Sequence, residues 1–162
     1  MNKRKLKIII YMKIFFLVIL LAGCARNPGV KKHFWQKNNN LESFRVFCSR
    51  DANNDTPVAL DLVFVYNDLL TGELMKMDAG AWFKSKPDLS LKFRNSFKVL
   101  SYEVVPFSET DTTHMPSKHR HAVSIILFAK YHTKAGSKPA DITTYVNPII
   151  KLNKDSFSIV EE

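Results

Sequence analysis

The sequence predicts a mainly β protein, a β-sandwich interrupted by a small helical insertion at about residues 67–95. Three observations predict it. Short runs of β-branched and aromatic residues recur between turn signals, Val58 to Tyr66 being the strongest. Between Asn67 and Asn95 the apolar period lengthens from that of a strand to that of a helix. Neither an internal repeat nor strand–helix–strand alternation occurs, so five to seven strands in about 120 residues suit a sandwich.

The first 23 residues read as a signal peptide. Met1 to Lys7 carries four bases and no acid, and an apolar stretch from Ile8 to Leu21 follows, broken by Lys13. The longest uncharged run, Ile14 to Gly23, would form a helix of about 15 Å, too short for a hydrocarbon core of roughly 30 Å. Met12 offers a second start and a shorter leader. Removing residues 1–23 takes five Lys/Arg and no acid, so 24 bases fall to 19 against 15 acids, and the formal charge drops from +9 to +4. Most of the basicity belongs to the leader and gives no argument for nucleic acid.

Residues 24–40 form a tether, with Pro28-Gly29, several bases and an asparagine triplet at 38–40. Phe34 and Trp35 either dock on the domain or sit at a lipid interface. Residues 41–162 are a single domain. Leu41 to Ser49 alternates as a first strand, and Cys48 within it is expected to be a buried thiol. Arg50 to Pro57 is a loop, dense in Asp and Asn, that lacks the glycine and distal Glu of a calcium loop. Val58 to Tyr66 is apolar almost without interruption, which implies burial on both faces. Its one charge, Asp61, must lie near a strand end or find a donor.

In the insertion, Leu69, Leu70, Leu74 and Met77 suit one short helix. Asp78 caps a second, with Trp82 and Phe83 turned to a sheet, and Pro87-Asp88 restarts the chain. Phe97 to Val105 is a strand ended by Pro106, and Phe107 to Arg120 a polar loop. His121 to His132, Ile142 to Val146, Ile149 to Leu152 and Ser156 to Val160 complete the strands, while Glu161 and Glu162 belong to a loose tail.

Little in the chain speaks for catalysis. No phosphate loop, nucleophile elbow or H-E-x-x-H occurs, and no carboxylate pair has an apolar wall. No catalytic residue and no cofactor are therefore assigned, and aromatic and basic residues do not interleave as nucleic-acid binding requires. His114, Met115, His119 and His121 are the one suggestive cluster, since His119 and His121 would share a side of a strand. Lys118 and Arg120 interleave and oppose a cation, so a solvated basic loop is the favoured reading and no metal ligand is assigned.

Leu21-Ala22-Gly23-Cys24 resembles the lipobox of bacterial lipoproteins at all four positions. This implies a lipid-anchored Cys24 at the mature amino terminus, and Ala25, in place of a retention-type Asp, implies the periplasmic face of the outer membrane. Pro57-Val58 with the strand to Tyr66, the Trp82-Phe83 pair, Leu89, and the strand from Lys98 to Val105 with Pro106 resemble TssJ, the outer-membrane lipoproteins of type VI secretion systems. The resemblance covers residues 57–106, and its motifs are short and apolar. It departs at Pro106-Phe107, where that family often has Pro-Gly. It implies a transthyretin-like, immunoglobulin-like β-sandwich that docks through loops onto the periplasmic part of an inner-membrane, TssM-like subunit. Arg50, Asp51, Asn53, Asn54 and Asp55 would form the contact, and deleting Asn53 to Asp55 is expected to weaken capture without unfolding the domain. A periplasmic metal- or ligand-binding lipoprotein and a lipoprotein inhibitor or immunity factor are the alternatives, separable by metal titration and by gene neighbourhood.

Overall fold

The computed structural model describes residues 38–112 and 114–162. Among the described residues, eight strands form two four-stranded sheets. The first sheet contains β1 (Phe44–Cys48), β4 (Ser108–Thr112), β7 (Pro148–Leu152) and β8 (Phe157–Glu161), in the order β4-β1-β7-β8. The second contains β2 (Val58–Val65), β3 (Phe97–Val104), β5 (Ser124–Lys130) and β6 (Ala140–Asp141), in the order β3-β2-β5-β6. All pairings are antiparallel except that of β1 with β7, which sets Arg45 beside Ile149 and Cys48 beside Leu152. Two helices, α1 (Asp68–Leu74) and α2 (Ala79–Lys92), form the predicted insertion.

The near-continuous apolar run of β2 follows from two separate cores. Side chains alternate across a strand, so Leu60, Leu62 and Phe64 enter the inter-sheet core with Phe44, Val46, Ile125, Leu127, Ile150 and Leu152. Val63 and Val65 point the other way and join Ile126, Phe128 and Phe97 beneath Leu70, Leu74, Ala79 and Trp82. Trp82 is fully buried, stacked on Phe128 at 4.9 Å and edge-on to Phe97 at 5.8 Å. Asp61 lies in mid-strand on the helix side and is buried. It finds its donors in α2: Trp82 Nε1 and Lys86 Nζ, each at 2.8 Å, and Lys86 also reaches Ser101 Oγ at 2.8 Å.

Both helices have side-chain caps. Asn67 Oδ1 accepts from Leu69 N at 2.9 Å, and Asp78 Oδ1 accepts from Ala81 N at 2.7 Å. The predicted break at Pro87-Asp88 does not occur, because α2 runs through Pro87. Pro87 is exposed, where water can take the carbonyl that a proline leaves unbonded.

Three further expectations are corrected. The loop expected from Phe107 to Arg120 contains β4, whose backbone completes the edge beside β1. Its polar sequence suits an edge strand, and Glu109 and Asp111 face Arg45 at 3.8 and 4.0 Å. The strand expected from Ile142 to Val146 is a turn, in which Thr143 N bonds Asp141 Oδ1 and Thr143 Oγ1 accepts from Ile125 N, each at 2.9 Å. Glu161 and Glu162 are held: Glu161 Oε1 accepts from Asn147 N at 2.6 Å, and Glu162 pairs with Arg45.

Cys48 is buried in the inter-sheet core, and burial pushes its thiol pKa up from 9.0. The nucleophilic thiolate is thereby disfavoured. Gly136, in the short 3-10 turn Ala135–Ser137, has no room for a side chain. An added Cβ would lie 2.3 Å from Tyr131 Cγ, and that ring is buried with its hydroxyl donating to Ser156 O at 3.1 Å. Gly136→Ala is expected to lower stability by about 2 kcal/mol in urea unfolding, whereas a loss below about 0.5 kcal/mol would mean that the ring yields.

Candidate functional site

The strand registers separate the domain into two ends. Val58 pairs with Val104 at one end of the second sheet, and Val65 pairs with Phe97 at the other. The Arg50–Pro57 loop leaves β1 at the Val58 end. There it meets the β3–β4 turn, the residues after β5 and the β7–β8 turn. Ser49 N donates to Leu152 O at 2.9 Å, Phe107 N to Ser49 O at 3.3 Å, and Asn53 N to Asn153 O at 3.4 Å.

This loop is built, not slack. Asn53, Asn54 and Asp55 take φ values of 48°, 56° and 60°, three successive left-handed residues without a glycine. Asn and Asp tolerate that region better than other side chains. Asn53 is buried and holds the turn. Its Nδ2 donates to Thr56 Oγ1 at 2.8 Å and Pro57 O at 3.2 Å, and its Oδ1 accepts from His132 N at 2.8 Å. Of the five predicted contact residues, Asn53 is therefore spent internally. Arg50, Asp51, Asn54 and Asp55 are exposed on the same loop. Deleting Asn53 to Asp55 would remove the turn's own scaffold as well as any contact.

Sequence reasoning missed the apolar part of this surface. Phe107 and Val105 are 73% and 53% exposed, and the Arg50 guanidinium lies 4.7 Å from the Phe107 ring centroid. Phe107 has φ of 58°, a value that a glycine would take without strain. The departure at Pro106-Phe107 thus keeps the turn that a Pro-Gly would make and adds an exposed aromatic ring. That departure was the signal available in the sequence.

The histidines lie elsewhere and do not converge. His119–His121 is a 3-10 turn, not a strand. At three residues per turn, positions two apart face different directions, so the predicted shared side is lost. His119 Nδ1 lies 3.2 Å from Pro116 O. Among the described residues no three His, Cys, Asp or Glu side chains gather as a metal site. Cys24 and residues 25–37 lie outside the described residues. Asn38 and Asn39, expected in the tether, are instead fastened to this far end. Asn38 N donates to Arg120 O at 2.8 Å, and Asn39 Nδ2 donates to His119 O at 2.8 Å and Ala122 O at 3.0 Å.

A two-sheet sandwich with one helix-covered face and a braced loop end defines the structural class. Solved structures share it. The T6SS lipoprotein TssJ1 from Pseudomonas aeruginosa superposes with a TM-score of 0.58 at 12% identity, over 74% of this chain and 94% of that one. Serratia marcescens Lip, a membrane bound component of the Type VI Secretion System, gives 0.55 at 13% identity, over 76% and 98%. A chain in the structure of the T6SS protein TssM C-terminal domain (869-1107) from EAEC gives 0.56 at 10% identity, over 73% and 98%. At these identities the likeness is one of fold. No protein-family model matches the chain, and no curated protein matches it.

Proposed function

We propose that this chain is a lipid-anchored docking protein on the periplasmic face of the outer membrane, part of a type VI-like secretion complex. In this reading Cys24 carries the lipid, and the Arg50–Pro57 end grips the periplasmic part of an inner-membrane, TssM-like subunit. No catalytic step is assigned to it. The fold shared with TssJ1 and Lip supports the reading. The observation that carries it is the polarity of the domain. Asn38 is bound at the His119–Ala122 end, and the braced loop lies at the opposite end. Residues 25–37 reach at most about 45 Å when extended. A domain held through Cys24 is thus attached at the end opposite the loop, which leaves the loop free to meet a partner across the periplasm.

The test separates contact from folding. Arg50→Glu with Phe107→Gly removes the exposed cation and ring at a position where glycine is unstrained. Partner recovery from membranes is expected to fall about tenfold or more, while the unfolding free energy stays within about 0.5 kcal/mol. Undiminished recovery overturns the loop assignment. Separately, Cys24→Ser should move the chain out of the membrane fraction, and a variant that stays outer-membrane-bound overturns the anchor.

A further inference from the structure

We infer that the end of the domain where Asn38 enters carries a binding cleft for a phosphate group. A cleft of about 390 Å³ opens there, lined by Tyr66, Arg94, Lys98, Ser117, Lys118 and His121, together with Asn95 and Phe97. Three of these, Arg94, Lys98 and Lys118, are basic side chains and none is a carboxylate. Among the described residues Lys98 Nζ bonds a neutral group, Ser117 Oγ, at 3.2 Å. Among the described residues no ion pair joins Arg94, Lys98 or Lys118 to an acid, whereas nearby Arg120 has Glu42 at 3.4 Å. Lys118 is fixed at φ of 69°, and Tyr66 N is tied to Ser96 O at 2.8 Å, so both walls are held by backbone.

The second observation is independent of the charge. The Tyr66 hydroxyl is buried and has no hydrogen-bond partner among the described residues. Such a group is costly, and an anionic oxygen reaching it from the cleft that Tyr66 lines would accept its hydrogen bond. Uncompensated cations beside an unused hydroxyl donor fit a tetrahedral oxyanion. The phosphate could belong to a lipid headgroup or be free in solution. The chain's own geometry favours the headgroup, because the segment leading back to Cys24 leaves from this same end. That choice of source rests on the anchoring reading, but the oxyanion chemistry does not.

The full chain in neutral detergent is titrated with inorganic phosphate against chloride at equal ionic strength, following the thermal midpoint. Phosphate is expected to raise the midpoint. Affinity should fall about tenfold for each cation removed in Lys98→Gln and Lys118→Asn, asparagine being tolerated at positive φ. Tyr66→Phe should weaken phosphate binding while leaving the phosphate-free midpoint unchanged or higher. In a second arm, hydrogen exchange over residues 94–98 and 117–121 is compared in phosphatidylglycerol and phosphatidylcholine vesicles. Protection in the former that Lys98→Gln/Lys118→Asn abolishes identifies a headgroup. A phosphate response without that protection upholds the cleft and overturns the lipid source. The absence of a phosphate response, or one that survives the double substitution, overturns the site. Cys24→Ser fractionation reports on the anchor independently of all these outcomes.

Discussion

Trp82→Ala is expected to cost about 3–5 kcal/mol of stability. Trp82 fills the space between α2 and the second sheet, and it is fully buried. Its ring stacks on Phe128 and meets Phe97 edge-on. Removing it opens a cavity in the core it shares with Val63, Ile126 and Phe128 of the sheet and with Leu70 and Leu74 of α1. It also deprives Asp61 of its indole donor. The helices hold the sheet through this one small core, so its loss should loosen both while the inter-sheet core persists. Urea unfolding measures the total loss, and hydrogen exchange in α1 and α2 measures where it falls. A loss below about 1.5 kcal/mol would mean that the helical cover contributes little.

Asp61→Leu should cost about 2–3 kcal/mol despite being nearly isosteric and more apolar. The carboxylate accepts from a buried indole N–H and from Lys86. Without it the indole donor has no partner. Lys86 is 29% exposed and can turn to solvent, so the loss should fall short of that for a wholly buried ion pair. Because Asp61 and Trp82 share a hydrogen bond, their effects should not add. The double variant is expected to lose about 1 kcal/mol less than the sum of the single losses. An additive result in the unfolding cycle would show that the bond carries no energy of its own.

Much of the fold was legible because its physics is local. The unbroken apolar run of Val58 to Val65 required two covered faces, and it has them. The single charge in that run required a strand end or a donor, and it lies in mid-strand with donors from Trp82 and Lys86. Asp78 before an apolar-periodic stretch required a cap, and its side chain forms one. What escaped was fixed by partners distant in sequence. Ser108 to Thr112 has the composition of a loop and becomes a strand only because β1 offers it an edge. Thr143 breaks the expected strand by putting a hydroxyl where a strand would put a carbonyl. Glu161 and Glu162 look like a tail until Asn147 and Arg45 meet them.

The candidate site divides in the same way. Asn53, Asn54 and Asp55 announced a tight loop by composition, since these residue types suit left-handed backbone. That Asn53 would face inward depended on His132, 79 positions later. Phe107 entered the loop surface only through the turn it shares with Pro106. The cleft at the other end draws on Tyr66, Arg94, Lys98 and Lys118, which no spacing rule connects, so it had no sequence signature.

The parallel pairing of β1 with β7 also bears on how the chain can be made and delivered. Strand β1 is central in its sheet, yet its neighbours β4 and β7 lie about 60 and about 100 positions downstream. A chain that emerges amino terminus first exposes the apolar face of β1 until Leu152 has appeared, and β8 closes the sheet only at Glu161. Long-range closure of this kind is slow. The first sheet therefore cannot assemble until β7 and β8 are available, whereas the second draws only on strands between Val58 and Asp141. Without β8 (Phe157–Glu161), β7 would become an unpaired edge of that sheet.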